Sequence, residues 1–188
     1  LVKLCLNRCL NKNPKLHLRL NSLRGNYERR PLVLSTADSK GRPHSTGVLY
    51  GISPEPKFLF FILTAKNYKK VRNIKENPHV SFVVPFPHYY FRFVPDSTVQ
   101  IQGIAKIVPF DNPGAQEVFS QKRILKMMLE QSYKLDVKDE LVFIKIKPNR
   151  KIFCYGLGMG IMELRKNLES GEYTVTIPED KLELSFKD

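Results

Sequence analysis

Phe58-Leu59-Phe60-Phe61-Ile62-Leu63-Thr64 is followed, after Ala65-Lys66-Asn67-Tyr68, by Lys69-Lys70-Val71-Arg72-Asn73-Ile74-Lys75-Glu76-Asn77-Pro78-His79-Val80-Ser81. The apolar run 58–63 is bounded upstream by the turn Ser53-Pro54-Glu55-Pro56-Lys57, which reads as a strand buried on both faces. From residue 67 the period changes. Val71 and Ile74 stand three apart among polar residues, Asn67 is placed to cap the start, and Asn77-Pro78 stops the segment. Together these predict a short helix over 67–76. Val80-Ser81-Phe82-Val83-Val84 then resumes a strand.

The same alternation extends outward in both directions. Upstream, Leu32-Val33-Leu34-Ser35-Thr36-Ala37 reads as a strand and Asp38-Ser39-Lys40-Gly41 as a turn, with a second strand across residues 43–52. Asp38 can bond the backbone two residues on and Gly41 can take a positive φ, so the two strands form a hairpin. Downstream, the proline-bearing stretch 85–95 reads as a loop or irregular edge. Residues 98–108 form a strong strand that sends Val99, Ile101 and Gly103 to one face and Thr98, Gln100, Gln102 and Ile104 to the other.

Residues 114–132 carry one long helical pattern, with Val118, Leu125, Met128 and Leu129 on a common face that would pack on the sheet. Another strand starts at Leu141 and continues past Pro148 to Cys154, followed by glycines at 156, 158 and 160 and by one or two edge strands from Tyr173. No internal repeat is present. The strand spacing predicts a mainly β chain, an antiparallel barrel with peripheral helices rather than βαβ crossovers. Residues 1–30 are assigned to an N-terminal extension and 31–188 to a single domain.

The 188 residues are 42% hydrophobic and 26% charged, which excludes a disordered tail, a collagen-like rod and a membrane bundle. The longest apolar run falls far short of the roughly 20 residues a membrane-spanning helix needs. Lys3, Asn7 and Arg8 interrupt the first ten residues and no small-residue cleavage site follows, so export is not expected. Cys5, Cys9 and Cys154 are too few, and odd in number, for a disulfide framework. They point to a reducing cytoplasm. The formal charge of +13 sets up a field that attracts phosphates, nucleotides, nucleic acid or an anionic surface.

The charge has one local concentration, at Lys66, Lys69, Lys70, Arg72 and Lys75. There a strand ends in the hydroxyl of Thr64, and Lys69 and Lys70 bring ammonium groups to the start of a helix, whose free amides and dipole also favour an anion. This reads as a phosphate site. The competing reading is the solvated face of a surface helix, the usual meaning of a charge run. Other constellations carry less. The glycines at 156, 158 and 160 lack dinucleotide-fingerprint spacing. Cys5 and Cys9, with His17, His44, His79 and His88, form no recognisable metal set, and no nucleophile motif accompanies the serines.

Gly41-Arg42-Pro43-His44-Ser45-Thr46, the run 58–64 and the stretch 69–81 together resemble the pyridoxamine 5′-phosphate oxidase-like family of FMN-binding split barrels, over roughly residues 31–108. The resemblance implies an antiparallel split β-barrel of FMN-binding type, working as a homodimer with the flavin across the subunit interface. It implies that Ser45, Thr46, Gly47 and Val48 border the isoalloxazine, that Thr64, Lys69 and Lys70 hold the phosphate, and that Gln100 and Gln102 are contributed by the second subunit. For the two glutamines a solvated strand face is an equal alternative. The activity implied is a flavin-dependent oxidoreductase that exchanges electrons or hydride with a small-molecule donor or acceptor in the cytoplasm. No catalytic side chain is assigned, because flavin chemistry asks little of side chains. His44 near the ring is more simply a structural histidine.

The chain also departs from that pattern. Tyr68 stands where many members carry a small hydroxyl residue, which puts one phosphate contact in question. The arginine- and tryptophan-bearing C-terminal signature of true pyridoxamine phosphate oxidases is absent, and the chain has no tryptophan. Vitamin synthesis is therefore not the expected function. The alternatives are a deazaflavin coenzyme in the same fold, a flavin carrier without turnover, and a basic nucleic-acid-binding barrel using Tyr89, Tyr90 and Phe91 beside Arg92. No recognised RNA-binding motif supports the last of these.

Overall fold

The computed structural model describes residues 32–53, 58–86, 97–156, 162 and 171–177. The N-terminal extension, the aromatics at 89–91 and the glycines at 158 and 160 lie outside these described residues. Strands β1 (Leu32–Ala37) and β2 (Pro43–Val48) pair antiparallel, from Leu32 opposite Val48 to Ala37 opposite Pro43. Their turn is built by Asp38. Its Oδ1 accepts the Lys40 and Arg42 backbone N–H groups at 3.0 Å each, Arg42 Nε donates to Oδ2 at 2.7 Å, and Gly41 takes φ 76°.

The strand expected over 43–52 breaks in two. After Val48 the chain leaves β1, and Gly51–Ile52 forms a separate short strand, β3, paired with β4 (Phe60–Ala65). Completing the sheet are β5 (His79–Phe86), β6 (Ser97–Pro109), β7 (Leu141–Tyr155) and β8 (Glu172–Thr176). The strand order is β2-β1-β5-β6-β7-β4-β3, with β8 on β7, and every pairing is antiparallel. The two ends of this order, β2 and β3, are joined by Leu49 and Tyr50 alone. Two residues span only about 7 Å, so the sheet has to curl until its ends meet. The break in the strand is thus the corner of a split barrel, and Tyr50 turns into the interior with its ring centroid 6.0 Å from that of Phe60.

The barrel interior is filled by Leu32, Leu34, Phe60, Ile62, Phe82, Ile101, Ile144, Ile146 and Ile152, with Phe60 and Phe82 edge to face at 4.7 Å. A second core lies outside β4 and β7. There Leu59, Phe61, Phe110 and Phe143 meet Ala115, Val118, Phe119, Leu125 and Leu129. Strand β4 therefore has an apolar layer on each side, which is why its sequence runs apolar without alternation.

The second core is roofed by two helices, not one. Helix α2 (Pro113–Ser120) is capped by Asn112, whose Oδ1 accepts the Ala115 N–H at 3.1 Å, and α3 (Arg123–Lys134) follows after an extended Lys122. A single helix would bring Gln121 and Lys122, three and four positions beyond Val118, onto the buried face; the break leaves Gln121 exposed and Lys122 only half-buried. The remaining helix, α1 (Lys69–Glu76), starts two residues later than expected. Asn67 lies within the turn closed by Tyr68 N–H to Ala65 O at 3.3 Å, so Tyr68 occupies the cap position and no side chain caps the helix.

Strand β5 runs on through Pro85 and Phe86, beyond the expected end. Strand β7 passes Pro148 without stopping, as its pattern predicts. Where β6 advances two residues, from Ile101 to Gly103, β7 advances four, from Ile152 to Pro148. That bulge absorbs the proline, which has no N–H to give the ladder. It also brings the Lys147 carbonyl so close to Gly103 that a Cβ there would collide with it.

Candidate functional site

A cleft of about 430 Å³ opens where four elements converge. The end of β2 and the corner after it supply Gly47, Val48 and Leu49; β4 supplies Leu63, Thr64 and Ala65; Tyr68 and Lys70 come from the start of α1. The far wall is Met128, Gln131 and Ser132 of α3, with Leu135 and Val137 beyond it, and Leu141 closes the side. Space over Gly47 is open, since a Cβ there would touch nothing within 4 Å.

Two polar groups in this cleft are unusual. Thr64 Oγ1 is buried and has no hydrogen-bond partner among the described residues. Such a group costs about 1–3 kcal/mol when left unpaired. Lys70 is 7% exposed, although its neighbours Lys69 and Arg72 lie in water. Burial pushes the Lys70 ammonium below the ordinary lysine range, and its Nζ lies 5.2 Å from the centroid of the Tyr68 ring. It has no acidic partner among the described residues. The first turn of α1 adds backbone N–H groups that no side chain caps. A hydroxyl, an ammonium and the Lys69 and Lys70 N–H groups that open the helix make a site for an anionic oxygen, while the Val71 N–H already bonds the Tyr68 carbonyl at 3.0 Å.

Helix phase explains why one lysine differs from the next. Lys70 and Ile74 are four apart and share the buried face with Val71 and Asn73. Asn73 Nδ2 donates to Thr36 Oγ1 at 3.0 Å, and Asn77 N–H closes the helix on Asn73 O at 2.7 Å. Ser39 N–H reaches Glu76 Oε2 at 3.1 Å, so the hairpin turn and the helix end hold each other.

Of the residues proposed from the sequence, Gly47, Val48, Thr64 and Lys70 line this one cleft. Lys69 is exposed outside it. Ser45 shares the exposed face of β2 with Gly47 but stays outside the cleft, its Oγ 2.8 Å from Ser35 Oγ, and Thr46 Oγ1, also outside it, donates to the Gly47 carbonyl at 3.5 Å. Gln100 and Gln102 are exposed on the outer face of β6, and Gln102 borders a separate groove with Ser81, His79 and Asn149. His44 is half-buried, its carbonyl accepting from Thr36 Oγ1 at 3.3 Å. No residue of the α3 wall is among the site residues proposed from sequence, and Met128 is assigned there to the face that packs on the sheet. The wall's signal was present as the spacing 128, 131, 132 and 135, a second helical stripe beside the core stripe of Leu125 and Leu129.

The comparisons bear on what such a cleft is for. The family model described as pyridoxamine 5′-phosphate oxidase matches residues 23–154. The chain belongs to that family. Among curated members, the pyridoxine/pyridoxamine 5′-phosphate oxidase of Coxiella burnetii is 29% identical over 116 residues, covering 59% of this chain and 54% of that protein. The chain thus spans about half the length of this pyridoxamine 5′-phosphate oxidase. Two of the similar solved structures show the shared fold. HutZ, the heme storage protein of Vibrio cholerae, superimposes with a TM-score of 0.57 at 19% identity, over 73% of this chain and 93% of its own. A pyridoxamine 5′-phosphate oxidase-related, FMN-binding protein of Nostoc punctiforme gives 0.53 at 13% identity, over 88% and 96%. At such identities the likeness is one of fold, and one fold serves different uses. Among the described residues no helix is long and apolar enough to cross a membrane.

Proposed function

We propose that this member of the family binds FMN in the cleft between β2, β4, α1 and α3 and works as a flavin-dependent oxidoreductase. The observation that carries the reading is the unpartnered Thr64 Oγ1 buried in the same cleft as the desolvated Lys70. Thr64 and Lys70 would hold the phosphate, with the uncapped start of α1 donating from its backbone. Gly47 and Val48 would border the ring, where the bare Gly47 backbone leaves room for a flat group to lie close. FMN, when bound, supplies the electron-transfer chemistry. The side chains of the cleft bind and orient it, and Met128 of α3, with Leu135 and Val137 beyond the helix, excludes water from its body. The deazaflavin alternative would use the same anion site.

A homodimer belongs to this proposal. Gln100 and Gln102 lie outside their own chain's cleft and reach a flavin only as the partner's contribution. The outer face of β1 and β5 beside them bears the exposed Val33, which favours a second copy against it. Action in the cytoplasm, on a small-molecule donor or acceptor, is likewise part of the proposed reading. Heme is less well served by the cleft, because neither of the described histidines, His44 and His79, lines it to offer an axial imidazole.

The visible absorption spectrum of the purified protein, before and after FMN addition and desalting, tests the reading. Retained oxidised-flavin bands near one per subunit support it. An intense Soret band in their place, or no retained chromophore and no FMN affinity, overturns it.

A further inference from the structure

The phosphate end of the cleft says nothing about what the phosphate is attached to, because Thr64 and Lys70 recognise only the anion. The opposite wall carries that information. It is built by one stripe of α3 and the turn after it: Met128, Leu135 and Val137 are apolar, Ser132 Oγ already donates to Met128 O at 2.8 Å, and Gln131 is left as the wall's free polar side chain. The Gln131 amide makes no hydrogen bond to the described residues, while its backbone is firmly placed, its carbonyl accepting Leu135 N–H at 3.0 Å. The next turn is locked too. Val137 N–H bonds Ser132 O at 3.2 Å around Asp136, which sits at φ 53°.

Resting on the phosphate-site reading above, we infer that Gln131 is the specificity-determining residue of the cleft. The ligand class it selects is a phosphate monoester with a flat, mostly apolar body whose edge carries hydrogen-bond donors and acceptors. An amide both donates and accepts, so it pairs with a heteroaromatic edge and gives nothing to a plain hydrocarbon ring. The apolar side chains beside it cover either body equally. Selection between two monoesters of the same charge then rests on Gln131, and affinity for the phosphate does not.

The test compares two probes, FMN and phenyl phosphate, the second having the phosphate and a flat ring but no hydrogen-bonding edge. Binding is measured by NMR titration for wild type, Gln131→Leu and Thr64→Val. Because Gln131 is exposed, its replacement leaves the core intact, and the unfolding midpoint of each variant checks this. Gln131→Leu is expected to weaken FMN roughly fivefold, the worth of one hydrogen bond, and to leave phenyl phosphate unchanged. Thr64→Val is expected to weaken both. Equal affinity of wild type and Gln131→Leu for FMN, or an equal loss for both probes, overturns the inference. Failure of the wild type to bind either probe overturns the underlying phosphate reading, a separate result.

Discussion

Asn73 Nδ2 donates to Thr36 Oγ1 at 3.0 Å, both groups buried, and Thr36 passes the contact on to His44 O at 3.3 Å. One amide on α1 thereby fixes the helix against the first hairpin and, through it, sets the distance between Lys70 and the end of β2. Replacing Asn73 with alanine removes a buried donor and leaves a void beside Thr36. The expected cost is about 1–2 kcal/mol, read as a lower urea midpoint with an unchanged slope. Thr36→Val should cost a similar amount, and the double variant less than the sum, since both remove the same bond. Strict additivity would show that the pair does not couple helix and hairpin.

Gly103 faces the Lys147 carbonyl across the β6–β7 bulge, with no space for a Cβ. Gly103→Ala must push two long central strands apart and is expected to cost about 1–3 kcal/mol, or to prevent folding. Gly47→Ala is the control. Open space surrounds that position, so its stability should lie close to wild type, as thermal unfolding of both variants would show.

Much of this architecture is legible in local sequence. The unbroken apolar run of β4 reports layers on both sides, and the alternation of β6 assigns Gln100 and Gln102 to the outer face, where they lie. Asp38 and Gly41 specify their turn because the bonds involved span at most four residues. What escapes local reading depends on long-range geometry. The split at Leu49 and Tyr50 follows from barrel closure, which no window of neighbouring residues encodes. Lys69 and Lys70 look alike in a charge run, and only the phase set by Ile74 separates a solvated lysine from a buried one. The α3 stripe could be seen as a pattern, but nothing in residues 123–137 says that it faces a cleft formed by strands some 60 to 90 positions earlier.

Asp38 makes the hairpin turn acid-sensitive. Its carboxyl is held below the ordinary range chiefly by the Arg42 backbone N–H, with the Arg42 side chain and the Lys40 N–H adding to this against a smaller effect of burial. The folded state thus favours the carboxylate. Its contribution is fully present above the unfolded pKa and is lost as pH falls through the folded one. Asp38→Asn keeps an acceptor for the two backbone groups but no charge for Arg42. The variant should be less stable at neutral pH and show a shallower loss on acidification below about pH 5, measured by urea unfolding across the range. Parallel pH profiles for the two proteins would remove Asp38 from the acid response.

Lys70 gives the opposite sign at the other end of the scale. Burial alone lowers its pKa, so between the folded value and the ordinary lysine range the unfolded chain binds more protons. Free protein should therefore gain stability from this group as pH rises through the folded pKa, and Lys70→Met should be at least as stable as wild type at neutral pH. An anion in the cleft reverses the balance by favouring the ammonium. FMN binding at alkaline pH should then take up protons, at most about one per site, detectable by calorimetry in two buffers of different ionisation enthalpy. Lys70→Met should abolish the uptake and weaken FMN about 10- to 150-fold, the range for a charge-assisted bond, whereas Lys69→Ala should change neither by more than a few-fold. Proton uptake that persists in Lys70→Met, or a Lys69→Ala loss as large as that of Lys70→Met, would return the phosphate contact to the exposed lysine.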